Sequence, residues 1–158
     1  MPGLAPPGGA GEDWREMEKW VKDDQTGTAA GGGGKFRRTF RIWKEFRFEA
    51  AHRLTKVPEG HQCARLHGHS YLVRVHCAGT LDPELEWLVD YADISKVVRP
   101  VIARLDHHNL NDIIEGETTA ENIAWWLLGE LAGKLPHLDR VEVMETPGTG
   151  VSVSVSGD

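Results

Sequence analysis

The sequence predicts an α+β domain in which two strands, two helices and two further strands follow one another. Three observations carry that reading. From Thr39 onward, apolar residues recur at every second position through two long runs. Two later segments place apolar residues three and four apart, the spacing of a helix with one buried stripe. The chain then closes on two short alternating runs around Thr146-Pro147-Gly148, a turn signal.

In the first run Phe40, Ile42, Phe46, Phe48, Ala50 and His52 share a face, with Lys44 the exception. Arg41, Glu45, Arg47 and Glu49 share the other, interrupted by Trp43, so a long strand with one buried face is expected. Thr55 to Gln62, with Pro58 and Gly60, reads as a loop. The second strand runs to about Gly79 and puts His67, His69, Tyr71, Val73, Val75 and Cys77 on one face. Leu81-Asp82-Pro83 is a turn, and Trp87 to Asp90 a short extended link.

Ala92 to Leu105 is helical by the spacing of Ile94, Val97, Val98, Val101, Ile102 and Leu105, and Pro100 is expected to kink or split it. Thr118-Thr119-Ala120-Glu121 matches a capping box with Thr118 as the cap. Ile123, Ala124, Leu127, Leu128 and Leu131 give the following helix its stripe, and Pro136 closes that element. Val141, Val143 and Glu145 form the inner face of a third strand, and Val151, Val153 and Val155 alternate with serines in a fourth.

Residues 1–38 have a different character: prolines and glycines open the chain, and Gly27 to Gly34 make a near-continuous flexible linker. They are expected to form a disordered Gly/Pro-rich arm ahead of a folded domain at 39–158. Within the arm, Trp14, Met17, Trp20 and Val21 suit either a marginal short helix or a docking segment for a partner.

Composition narrows the function. At 158 residues and 40% hydrophobic, the chain has enough apolar material for one domain with a core. No apolar run approaches a membrane span, and Met1 to Ala10 lacks the basic start and apolar stretch of a secretory signal. A formal charge of −6 argues against general nucleic-acid binding and requires local Lys and Arg for any anionic substrate. Two cysteines, Cys63 and Cys77, make no disulfide framework and fit a reducing cytoplasm.

The chemistry concentrates between Gly60 and Ser70. Cys63 stands four residues ahead of His67, and His67 and His69 point to the same face of a strand. His52 ends the buried face of the preceding strand. Three neutral imidazoles are a usual protein set for a catalytic zinc, although each histidine alone also suits a hydrogen-bonded core or surface position. Cys77 lies too far along its strand to share the ion and reads as structural. Asp106-His107 suits either a helix C-terminal cap or a carboxylate orienting an imidazole for proton transfer. Thr119 is either a helix-start residue or a hydroxyl offered to a ligand. Glu145 ends an apolar face, so its carboxylate requires a Lys or Arg partner or a ligand with N–H donors.

Phe48-Glu49-Ala50-Ala51-His52, Cys63-x-x-x-His67-Gly68-His69, Leu105-Asp106-His107-His108, Thr119-Ala120-Glu121-Asn122-Ile123 and Met144-Glu145-Thr146 occur in that order. Together they resemble the 6-pyruvoyl-tetrahydropterin synthase family from about Thr39 to the C-terminus. The three residues between Cys63 and His67 resemble its bacterial 6-carboxy-5,6,7,8-tetrahydropterin synthase branch. Thr118 departs from that branch, where a proline is frequent, and is expected to alter the loop rather than the chemistry.

The resemblance implies a tunnelling fold, with a four-stranded antiparallel sheet backed by two helices on one face. It implies that subunits join into rings stacked as a hexamer of two trimers, with sites between subunits. It further implies Zn2+ on His52, His67 and His69; Cys63 as a proton-abstracting thiolate; and Asp106 orienting a proton-shuttling His107. Glu145 would bind the amidine edge of a pterin, and Thr119 would add a hydroxyl contact. The implied reaction turns 7,8-dihydroneopterin triphosphate into 6-carboxy-5,6,7,8-tetrahydropterin, acetaldehyde and triphosphate in queuosine biosynthesis. A 6-pyruvoyl product, or a non-catalytic zinc or pterin-binding module, are the alternatives. Arg53, Lys56 and Arg65 are candidates for the triphosphate.

Overall fold

The computed structural model describes residues 38–155. The expected arm helix around Trp14 and the Gly27–Gly34 linker lie outside the described residues. Strand β1 spans Phe40–His52 and β2 spans His67–Gly79. Helix α1 covers Tyr91–Ala103 and α2 covers Ala120–Leu131. Strands β3, Leu138–Met144, and β4, Val151–Ser154, complete one antiparallel sheet in the order β1-β2-β3-β4. Helix α1 packs on β1, and α2 packs on β3 and β4 and touches α1, so both helices cover one face.

The alternation seen in the sequence becomes the core. Phe46, Phe48, Ala50 and His52 are buried on β1, and Tyr71, Val73, Val75 and Cys77 on β2. Ile94, Val98, Val101 and Ile102 of α1 close over them, as do Ile123, Ala124, Leu127, Leu128 and Leu131 of α2. Truncating a fully buried Ile94 or Leu127 to Ala costs about 2–5 kcal/mol. The opposite face is polar: the Arg74 guanidinium lies 2.8 Å from Glu45 of β1 and 3.6 Å from Glu142 of β3. Cys77 is a free thiol in the core, pushed up to about 11 by burial and by the charge of Asp139.

Several boundaries differ from expectation. Helix α1 starts at Tyr91 because the Asp90 carboxylate caps it, accepting the Ala92 N–H at 2.7 Å, and it ends before Leu105. Pro100 neither splits nor ends it. Pro100 lies on the exposed side, where solvent can take the carbonyl left without an N–H partner, while the buried stripe keeps the helix docked. The cap of α2 is Thr119, not Thr118: its hydroxyl accepts the Asn122 N–H at 3.4 Å. Asn122 in turn donates to the Glu117 carbonyl at 2.7 Å, so the expected box from Thr118 to Glu121 does not form. Strand β3 begins at Leu138, ahead of Val141, and stops one residue short of Glu145. Among the described residues no helix is long and apolar enough to cross a membrane.

Candidate active site

The ends of β1 and β2 meet with His52 opposite His67 and Ala50 opposite His69. That register, with alternation on each strand, gathers His52, His67 and His69 at the sheet's end. One ring nitrogen from each lies within 4.8 Å of the others. His52, 2% exposed, donates Nδ1–H to the Thr118 carbonyl at 2.8 Å, and His67 donates Nδ1–H to the Arg65 carbonyl at 2.8 Å. A carbonyl only accepts, so both rings carry a proton on Nδ1, and in its neutral form each has a lone pair on Nε2.

These two Nε2 atoms stand 3.1 Å apart. Two lone pairs facing each other at that distance repel unless a proton or a metal ion lies between them. Two nitrogen ligands of a tetrahedral zinc, each at about 2.0–2.1 Å, stand roughly 3.3 Å apart, so the pair fits such an ion. Desolvation lowers the His69 pKa, the Glu145 charge opposes that, and His52 and His67 add to the lowering. A neutral imidazole is the form a metal takes.

A cavity of about 400 Å³ opens on this cluster, lined also by Cys63, Thr119 and Glu145 and walled by Leu54, Gly150 and Val151. Cys63 sits half-buried in a short 3-10 turn, Gln62–Ala64, whose cap is His61: its Nδ1 accepts the Cys63 N–H at 3.2 Å. His61 is thereby a capping residue. The Cys63 carbonyl accepts from Leu54 N at 2.8 Å, which ties the thiol's loop to the end of β1. Glu145 brings a buried Oε1 with no hydrogen-bond partner among the described residues, so no Lys or Arg among them makes the bridge weighed from the sequence to that oxygen. Its ligand-binding alternative remains.

Asp106 and His107 are not brought to this cavity. Nor do they cap α1. Their loop docks on β1: Asp106 Oδ1 accepts the Glu49 N–H at 2.9 Å, and the His107 N–H donates to the Glu49 carbonyl at 2.6 Å. Ala51 N then donates to the His108 carbonyl at 3.0 Å. The Glu49 N–H, and next the His107 ring 3.0 Å away, hold the Asp106 carboxyl below its usual range. His107 has a left-handed backbone, φ 60°, and its ring is 77% exposed beside a second cavity of about 520 Å³. That cavity is lined by Glu49, Ala51, Gly68 and Ser70, and of its lining residues only His69 also borders the first.

Sequence reasoning missed the carbonyls of Thr118 and Arg65, which are invisible in residue types. It also passed over Glu117, which accepts from Thr55 through both the hydroxyl and the N–H and ties the residues after β1 to the Thr118 loop. Tyr71 counted only as a core residue. It lies behind the histidines, its ring edge-on to His52 at 6.0 Å and to His69 at 5.6 Å, and stacks on Phe48 at 4.7 Å. Burial, then the Glu145 charge, hold its phenol protonated far above the ordinary range. Tyr71 could have been found two residues beyond His69 on the same face.

Residues 41–155 match the family model described as 6-pyruvoyl tetrahydropterin synthase. The chain belongs to the 6-pyruvoyl tetrahydropterin synthase family. It is 42% identical over 113 residues to a 6-carboxy-5,6,7,8-tetrahydropterin synthase of Synechocystis, covering 66% of this chain and 85% of the relative. It is 34% identical over 116 residues to a dihydroneopterin monophosphate aldolase of Pyrococcus furiosus, covering 72% of this chain and 96% of that protein. The 6-pyruvoyl tetrahydropterin synthase structure of Caenorhabditis elegans superposes with a TM-score of 0.69 at 26% identity, covering 75% of this chain and 97% of that one. The resemblance read from the motifs, including the 6-carboxy branch, is borne out by the family match and the relatives, and the sheet with its two helices is that of a family member.

Proposed function

We propose that this pterin synthase converts 7,8-dihydroneopterin triphosphate to 6-carboxy-5,6,7,8-tetrahydropterin, consuming water and releasing acetaldehyde and triphosphate, for queuosine biosynthesis in the cytoplasm. The observation that carries the reading is the pair of facing Nε2 atoms on His52 and His67 sharing a cavity with Cys63 and with Glu145, whose Oε1 is buried without a partner. The identity to the Synechocystis enzyme of that name supports the choice of branch. The family domain is 39–158, preceded in sequence by the Gly/Pro-rich residues 1–38.

His52, His67 and His69 would hold Zn2+, which when bound polarises the side-chain hydroxyls of the substrate and acidifies the neighbouring C–H bonds. Cys63, at the cavity wall, takes a proton from the side-chain carbon as thiolate. Glu145 accepts two N–H donors from the pterin's amidine edge, which supplies its buried oxygen with the partner it lacks. Thr119 offers the remaining capacity of a hydroxyl that is held only by a long capping contact. His107, its ring held by Asp106 at 3.0 Å, moves protons during the internal redox steps.

Cys63 and His107 border different cavities of one chain, so a site that uses both takes His107 from a neighbouring copy. This supports a ring-forming homo-oligomer, a hexamer of two trimers. Arg53, Lys56 and Arg65 follow the site's strand and loop and are the candidates for meeting the triphosphate.

Product identity by mass spectrometry tests the reading, using zinc-loaded protein and dihydroneopterin triphosphate. A 6-carboxy product with acetaldehyde is expected. A 6-pyruvoyl product would move the enzyme to the other synthase activity of the family. Turnover of the monophosphate alone would favour the aldolase named in the Pyrococcus relative. No turnover with zinc bound would leave a binding module.

A further inference from the structure

Among the described residues, two polar atoms near the site are buried without a hydrogen-bond partner: the Tyr71 hydroxyl and Glu145 Oε1. In the β2–β3 register Val73 faces Val143 and Leu72 faces Met144, the last pair of the ladder; continued by one residue, that register would bring Glu145 opposite Tyr71. Tyr71 belongs to the buried face of β2, and Glu145 borders the histidine cavity. Side chains directly opposite on neighbouring strands have Cβ atoms about 4.5–5.5 Å apart and interact. One member of this pair is an O–H donor, the other a carboxylate acceptor. Each would be costly to bury alone.

The Tyr71 ring has little freedom to turn elsewhere. It is fully buried, stacked on Phe48 with an interplanar angle of 8°, and edge-on to both His52 and His69. A phenol held this firmly offers its hydroxyl in a fixed place, which is what a second group needs in order to orient a first.

We propose that Tyr71 is a positioning residue for Glu145: its hydroxyl donates to Oε1, directly or through one bridging water, when the cavity is filled. Oε1 keeps a second lone pair and Oε2 both of its own, so the carboxylate still has two acceptors for adjacent ligand N–H groups. In the filled cavity the donor holds the carboxylate in one orientation, which favours a ligand whose paired N–H groups match it. The effect falls on affinity and on the choice of a ligand with paired N–H donors. The inference rests on the reading of Glu145 as the pterin anchor.

The experiment is a double-mutant cycle on the zinc-loaded full chain, with Tyr71→Phe, Glu145→Gln and both together. The Kd of neopterin, a fluorescent pterin that lacks the triphosphate, is read by titration, with zinc content and Tm measured alongside. Tyr71→Phe is expected to weaken binding about tenfold, the size of losing one hydrogen bond to a charged group, with zinc and Tm unchanged. The double variant is expected to bind no worse than Glu145→Gln alone. Wild-type affinity in Tyr71→Phe, beside weakened Glu145→Gln, overturns the inference and leaves the anchor standing. So does a double variant in which the two losses multiply, or loss of zinc in Tyr71→Phe. Wild-type affinity in Glu145→Gln removes the anchor and this inference with it.

Discussion

His52 and His67 face each other through Nε2 atoms 3.1 Å apart, each ring having already given its Nδ1–H to a backbone carbonyl. The neutral pair is electrostatically unsatisfied until a proton or a metal ion joins it. Zinc added to metal-free protein is therefore expected to raise Tm, by about 4 kcal/mol of stabilisation at a thousandfold excess over Kd. His52→Ala and His67→Ala are expected to show neither the bound metal nor the Tm rise. Elemental analysis with differential scanning calorimetry decides this; an unchanged Tm in wild type would mean the cluster does not bind zinc.

Cys63 reaches the same cavity on a different loop, from a turn capped by His61. Cys63→Ala is expected to retain zinc and fold while turnover falls by about 10²–10⁴, the range for losing a proton-transfer group. Full activity in this variant would take the thiol out of the chemistry.

The separation of Cys63 from His107 gives a test of shared sites. Cys63→Ala and His107→Ala proteins, each inactive, are expected to regain activity when unfolded together and refolded as a mixture. With random assortment about a quarter of the sites would pair an intact Cys63 with an intact His107 from the adjoining copy. Mixtures that stay inactive while assembling normally would place both groups in one chain's site.

Glu117 gives a pH-dependent prediction. The Thr55 hydroxyl, and then the Thr55 N–H, hold its carboxyl below the usual glutamate range. A lowered native pKa means that the stabilisation is present above the unfolded value and is lost as pH falls through the native one. Glu117→Gln is thus expected to lower Tm at neutral pH and to converge with wild type in acid below the ordinary glutamate range. Parallel Tm curves across pH would show that Glu117 contributes nothing through its charge.

The sequence made the strands legible because burial imposes a period: Phe46, Phe48, Ala50 and His52, then Tyr71, Val73, Val75 and Cys77, alternate as a one-sided sheet demands. The histidine cluster was legible for the same reason, since His67-x-His69 on a strand fixes a common face. Asp106 and His107 were legible as chemistry but not as place. Their position depends on backbone bonds to Glu49, which no side-chain pattern announces. The cap of α2 slipped by one residue because Thr118 and Thr119 offer the same hydroxyl. Asn122, not Glu121, reaches back from the third helical position.

The acceptors that orient His52 and His67 belong to the main chain at Thr118 and Arg65. Every residue type carries a carbonyl, so no point mutation at those two positions deletes the acceptor itself; it can only reshape the loop that presents it. The imidazole tautomers are thus buffered against sequence drift in a way that a histidine leaning on an aspartate is not. At residue 118 the side chain has a separate task, since the buried Thr118 hydroxyl donates to the Arg53 carbonyl at 3.3 Å and helps hold the loop on its course.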